Sequence, residues 1–535
     1  MKISRIQLLL FVAAFGFAAH TGAFGASYTW DSDANATTGT PVASTPGSGT
    51  WNATNTNWNL AGSAGSDVAW VSGADAVFAG SDGTYAITVG SALTVNNITF
   101  SNSGYTLSAA SALNLSGNAG NNLVTVATGA TATIGNKVAF TSGFNGAIIS
   151  LIGTAAAGGT AGTLIIDNGG TVSATTGASI VYIGSNSQTV GTIRATTVQV
   201  NAGGTISSNA SVVANGLLRV AGGTVTASTG IVAIGNYVDG TSMPTSAILT
   251  IDSGNVTVST AGSGVRFGTS GSQANSGGTL NLNGGTLTAG RIYSGGTSNS
   301  STVNFNGGTL KANAANATDF LGTTAIPIKN AIVKSGGAVI DTNTFDVTVF
   351  TALTHDTGLG GTADGGLTKN STGTLTLSGN NTYTGATTIS GGTLALGAAN
   401  RIADTSNLVM SGGTFATGGF GETLGTLTLS ATSFIDLGSG TSALVFADSS
   451  GTTWGTSISL SFINFTAGVD TVRIGTNSSG LTGTQLALIT INGSAASIDS
   501  SGFLAIAIPE PSTYAAIFAA AVLGFVAYRR RSARS

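Results

Sequence analysis

Cysteine is absent from the 535 residues, and histidine occurs only twice. Without thiols there is no disulfide framework and no thiolate zinc site. His355 is the sole histidine beyond the first 25 residues, which excludes a multi-histidine metal centre and leaves a Ser-His-Asp triad one candidate base. Glu422 is the only glutamate ahead of the C-terminal tail, so paired-glutamate glycosidase chemistry is excluded. Aspartates are scattered singly; Asp31-Ser32-Asp33 is the one close pair, and it reads as a turn. Charged residues make up 7%, against about 25% in an average soluble domain. With 17 Lys and Arg against 20 Asp and Glu, no basic footprint exists and nucleic acid is not expected as a partner. No catalytic residue, metal ligand or cofactor is expected, and the chain reads as non-enzymatic. Long apolar runs are missing from the interior too, since the 41% hydrophobic share is dispersed among Thr, Ser, Asn and Gly. That excludes a bundle of membrane helices, each needing ~20 apolar residues in a row. Disorder fits poorly as well, because it pairs low hydrophobicity with high net charge.

What is present begins with two distinctive ends. Lys2 and Arg5 precede an apolar run from Leu8 to Ala19, and Ala23-Phe24-Gly25 then supplies small residues for cleavage before Ala26. This is the three-part layout of a secretory signal read by the Sec translocon, with a retained N-terminal anchor as the alternative. At the other end Pro509-Glu510-Pro511 leads into apolar residues through Tyr528, followed by Arg529, Arg530, Arg531 and Arg534. Residues 512–528 as a helix would reach ~25 Å, with Tyr514 and Tyr528 at the interfaces and the arginines inside. The layout resembles the PEP-CTERM sorting signal of Gram-negative bacteria that make extracellular polysaccharide. That resemblance implies an exosortase-type membrane peptidase as partner, processing near Pro509, Glu510 and Pro511, and passage to the cell surface.

Between the ends an eleven-residue pattern recurs around a Gly-Gly-Thr turn. Copies include LIIDNGGTVSA from Leu164, LLRVAGGTVTA from Leu217, TLNLNGGTLTA from Thr279 and ATTISGGTLAL from Ala386. The second turn residue is glycine in all eight copies, at 170, 204, 223, 254, 285, 308, 392 and 413, which predicts a positive φ there. Two residues on, Val172, Ile206, Val225, Val256, Leu287, Leu310, Leu394 and Phe415 are apolar and should form one interior ladder. Spacing of ~20–30 residues per copy predicts solenoid coils, roughly twenty of them over ~100 Å, rather than a string of β-sandwiches.

Leu367-Thr368-Lys369 and GTLTLSGNNTYTGATTISGGTLAL from Gly373 closely resemble the autotransporter-associated β-strand repeat. The resemblance implies a parallel β-helix in a secreted surface polypeptide, here ending in a helix and arginines instead of a membrane barrel. Four of five tryptophans, Trp30, Trp51, Trp58 and Trp70, fall in the first mature coils, reading as an end cap or, alternatively, an aromatic platform for sugars.

The expected class is therefore all-β: an elongated right-handed parallel β-helix with capping β-modules, an N-terminal signal helix and one C-terminal transmembrane helix. The expected division is 1–25 signal, 26–150 cap and first coils, 151–350 Gly-Gly-Thr solenoid, 351–424 solenoid with the recognisable repeat at 367–396, 425–508 closing module and 509–535 sorting tail. The expected function is a structural or adhesin-like surface protein contacting extracellular polysaccharide or copies of itself. The alternatives are a carbohydrate-active β-helix enzyme and an ice-binding solenoid, the latter from Thr-x-Thr pairs such as Thr224/Thr226, Thr286/Thr288 and Thr426/Thr428.

Overall fold

A computed structural model describes residues 26–33, 45–60, 67–109, 111–115, 121–135, 138–141, 148–153, 161–184, 196–236, 247–269, 276–297, 299–507 and 511–532. Side chains are outside the description at 121, 122, 148, 153, 317, 511–517 and 530–532. The architecture follows from period-two alternation in short β-branched runs, which turns one side of each strand inward. A strand that buries only one face needs neighbours to complete a core, so successive coils stack in parallel and line three inward faces.

On the first face the inward ladder climbs through Ile166, Val200, Val220, Ile251, Leu282, Phe305 and Val333 to His355. On the second it runs through Val172, Ile206, Val225, Val256, Leu287, Leu310, Ile340, Lys369, Ile389, Met410 and Leu429. The third face carries Ile149, Val181, Val212, Val232, Val265 and Ile292. It extends from Ser27–Trp30 to Ile489–Ile491, about eighteen rungs and ~80 Å at the usual strand spacing. Lengths vary mostly at one corner: 154–161, 184–195, 235–247 and 268–276 all connect the third face to the first.

The Gly-Gly turns depart from expectation in an instructive way. In five copies the left-handed backbone falls on the first glycine, as at Gly169 (φ 92°), Gly203 (φ 80°) and Gly307 (φ 95°). The second glycine takes it only at Gly254 (φ 82°), Gly285 (φ 61°) and Gly392 (φ 60°). What all eight second glycines share is contact with the coil beneath. A Cβ on Gly170 would collide with the Ile134 carbonyl, on Gly204 with that of Ile166, and on Gly285 with that of Gly254. Close approach of backbone, not φ, makes the position invariant within the chain.

A second correction concerns the ladder of eight. All eight apolar residues are buried, but they divide between two faces. In the first six copies the turn joins the first face to the second. In the last two it joins the second to the third, so Leu394 stacks between Leu375 and Phe415 instead of above Leu310. The change of corner follows His355, where the first-face ladder stops.

The four tryptophans expected in a cap pack together beside the first rung. Trp30, Trp51 and Trp58 are fully buried and Trp70 nearly so. Trp51 and Trp58 ring centroids lie 5.0 Å apart, Trp58 and Trp70 4.7 Å. The strand Thr56–Leu60 runs antiparallel on Ser27–Trp30 and blocks further parallel addition. At the opposite end Ser494–Ile498 and Leu504–Ile506 form an antiparallel hairpin beside the last rung.

Beyond it Pro511–Ser532 is helical, and its described side chains, from Phe518 to Arg529, are exposed. Among the described residues, however, no helix is long and apolar enough to cross a membrane. The expected helix at 512–528 is met. The cleavage residues Ala23 and Gly25, the sorting residues Pro509 and Glu510, and Arg534 lie outside the described residues, as do the side chains of Pro511, Tyr514, Arg530 and Arg531.

Candidate binding surface

The outward side of the second face is a regular surface. Its strands present residues two apart, and parallel register stacks them into two columns. One column holds Thr171, Thr205, Thr224, Asn255, Thr286 and Thr309. The other holds Ser173, Ser207, Thr226, Thr257, Thr288 and Lys311. Neighbours are ~4.8 Å apart along a column, and the columns ~6.6 Å apart. Each hydroxyl both donates and accepts. Among the described residues, no side-chain hydrogen bond occupies these hydroxyls.

The first face differs. There Asn304 donates to Asn281 at 2.7 Å and Asn283 to Asp252 at 2.9 Å, so its polar groups largely satisfy one another. The second column ends in charge, where Lys311 approaches Asp341 at 3.8 Å, and the first is interrupted at the same rung by Val339.

Two of the three Thr-x-Thr pairs named from the sequence, Thr224/Thr226 and Thr286/Thr288, share this array. Of the third, Thr428 continues the first column beside Val409, while Thr426 lies outside both. The sequence reading missed the Asn255/Thr257 rung between them and the Ser-bearing rungs before Thr224/Thr226; their common offset from the Gly-Gly turn was the available signal.

The titratable residues gather into junctions. His355 Nδ1 lies 2.8 Å from Asp364 Oδ2 and 3.1 Å from Thr384 Oγ1, and Nε2 faces the Gly360 carbonyl at 3.2 Å. Hydrogen bonds to Asp364 and to that carbonyl hold the imidazole above its ordinary pKa. Asp364 in turn accepts from the backbone N–H groups of Gly366, Thr384 and Gly385. In a hydrolytic triad the base reaches nucleophile and acid through different nitrogens. Here hydroxyl and carboxylate share one, and the other faces a carbonyl, so the group ties coils together at the change of corner.

Lys369 is fully buried on the second-face ladder, donating to the carbonyls of Asn370, Ser371 and Gly391 at 2.8, 2.8 and 3.1 Å. Burial pushes its pKa down to about 8 against the pull of Asp341 and Asp346. Lys369 stands in the first of two successive coils that form a recognisable segment.

Residues 367–396 match the model of the passenger-associated-transport-repeat. Nothing among curated proteins or solved structures matches the chain. The repeat comprises the strands Leu367–Asn370, Thr374–Leu377, Thr387–Ile389 and Thr393–Leu396, alternating between the second and third faces. Its inward side carries Lys369 and a hydroxyl relay in which Tyr383 meets Thr387 at 2.7 Å, Thr387 meets Ser406 at 3.1 Å, and Ser406 donates to Gly385 at 2.7 Å. Buried polar groups of this kind are satisfied within the coil pair and specify its register.

Proposed function

We propose that this chain is a non-enzymatic surface protein whose rigid β-solenoid binds neutral extracellular polysaccharide along the hydroxyl columns of the second face. The observation that carries the reading is the in-register array from Thr171/Ser173 to Thr286/Thr288, uncharged over its whole length. Many weak hydrogen bonds at fixed spacing suit a repeating polymer better than a single small molecule. Export is supported by the description of the repeat at 367–396, which ties it to passenger transport. The sorting reading rests on the sequence of the tail: a Pro-bounded triplet that leads into the helix, then apolar residues, then arginines.

The test replaces Thr224, Thr226, Thr286 and Thr288 together by valine, which keeps strand propensity and removes four hydroxyls. Retention on an insoluble neutral polysaccharide should fall at least tenfold with the circular dichroism spectrum unchanged. Undiminished binding, or depolymerisation of the polymer, overturns the proposal. The columns also favour a second reading, in which a flat Thr array orders water at an ice surface; a freezing-point gap abolished by the same four substitutions would select it.

A further inference from the structure

The acidic pair Asp31 and Asp33, at the edge of the tryptophan cap, gains a third member from a different strand. Asp67, just ahead of Val68–Ala69, brings a carboxylate oxygen within 4.8 Å of one from each of the other two. Asp67 is only 9% exposed, yet among the described residues it accepts no hydrogen bond and faces no Lys, Arg or His. The others are held in place. Asp31 accepts from the backbone N–H groups of Asp33 and Thr45 and from Asn59 Nδ2 at 2.8 Å. Asp33 accepts from Thr45 Oγ1 at 3.0 Å.

Buried carboxylates ordinarily find a donor or a cation. Here burial, and then the charges of Asp31 and Asp33, push Asp67 up to about 6. Asp67, converging on two further carboxylates and facing no cation among the described residues, gives the trio the donor chemistry of a hard cation site. The absence of sulfur or imidazole disfavours zinc.

We propose that Asp31, Asp33 and Asp67 bind one calcium ion, which staples the strand Ser27–Trp30 to the segment entering Val68–Ala69 and completes the cap. This adds a metal site that the sequence alone does not reveal, because Asp67 is far from the pair in the chain. Calcium suits the site better than magnesium, since it tolerates irregular coordination completed by carbonyls and water.

Trp30, next to Asp31, supplies the readout. Terbium added to the full chain should give tryptophan-sensitised emission, displaced by calcium with a Kd of ~10⁻⁴–10⁻³ M and more weakly by magnesium. Asp67→Asn and Asp31→Asn should each lower calcium affinity at least tenfold. Calcium should raise the melting temperature of the wild-type chain and leave that of Asp67→Asn unchanged. Both variants remove crowded negative charge, so in chelator they should fold at least as well as wild type. Absence of calcium-displaceable emission, or an equal calcium response in wild type and Asp67→Asn, overturns the proposal.

Discussion

Glu422 occupies an inward position paired with Leu444, where a carboxyl is out of place. Its Oε2 accepts from the Arg401 N–H at 2.8 Å, and its Oε1 has no partner. Burial, with Asp404 adding to it, raises the carboxyl from 4.5 to about 7, despite backbone N–H groups that favour the anion. A carboxyl whose folded pKa is raised binds protons better in the folded chain. Its contribution is therefore fully present below about pH 4.5 and lost as pH rises through about 7. Glu422→Gln should stabilise the chain by about 2 kcal/mol near pH 8.5 and give no gain near pH 4, as read by denaturant melts at both pH values. Lys369 shows what residue-level reading can and cannot do. Strict alternation across Leu367-Thr368-Lys369 puts the lysine inside with Leu367, while charge argues for solvent. The structure obeys the alternation, because three carbonyls converge where the ammonium lands.

Among the elements, the Gly-Gly turn was the most legible feature and also the one misattributed. Recurrence gave its location and the buried residue two positions on. The φ assignment failed because what confines the second glycine is the preceding coil, and nothing local in sequence reports that contact. Two glycines separate the causes. Gly285 combines φ 61° with a blocked Cβ direction, whereas Gly129 has φ 72° and nothing within 4 Å. Gly129→Ala should cost about 1 kcal/mol, and Gly285→Ala about 3 kcal/mol or more, measured as shifts in denaturant midpoint. The clustering of the four tryptophans was readable from their density in sequence. The hydroxyl columns were readable only in part, since Thr-x-Thr pairs do not reveal which rungs stack until register is known.

The whole molecule is a one-dimensional stack, in which stability sums over similar coils and their contacts. Removing residues 287–309 joins Thr286 to Leu310, which sits on the same ladder as Leu287 and preserves the inward-outward order. That deletion should fold, melt within several degrees of the parent and shorten the particle by ~5 Å in solution scattering. Removing 295–309 instead joins the third face directly to the second and omits a first-face strand. It should abolish cooperative melting; equal behaviour of the two deletions would contradict the three-faced coil. At this scale the all-β solenoid was legible from repeats alone. The switch of corner after His355 was not, because the motif keeps its sequence while changing the faces it joins.

Most length variation falls between the third-face strands and the first-face strands that follow them. Residues added between Ile183 and Thr196, or between Ile234 and Ile248, enter a connection and leave every rung in register. Sequence drift can therefore accumulate along one edge without disturbing the flat hydroxyl flank. The same edge offers a place to graft an epitope, an affinity tag or a fluorophore, carried at intervals of a few ångströms along a stiff rod.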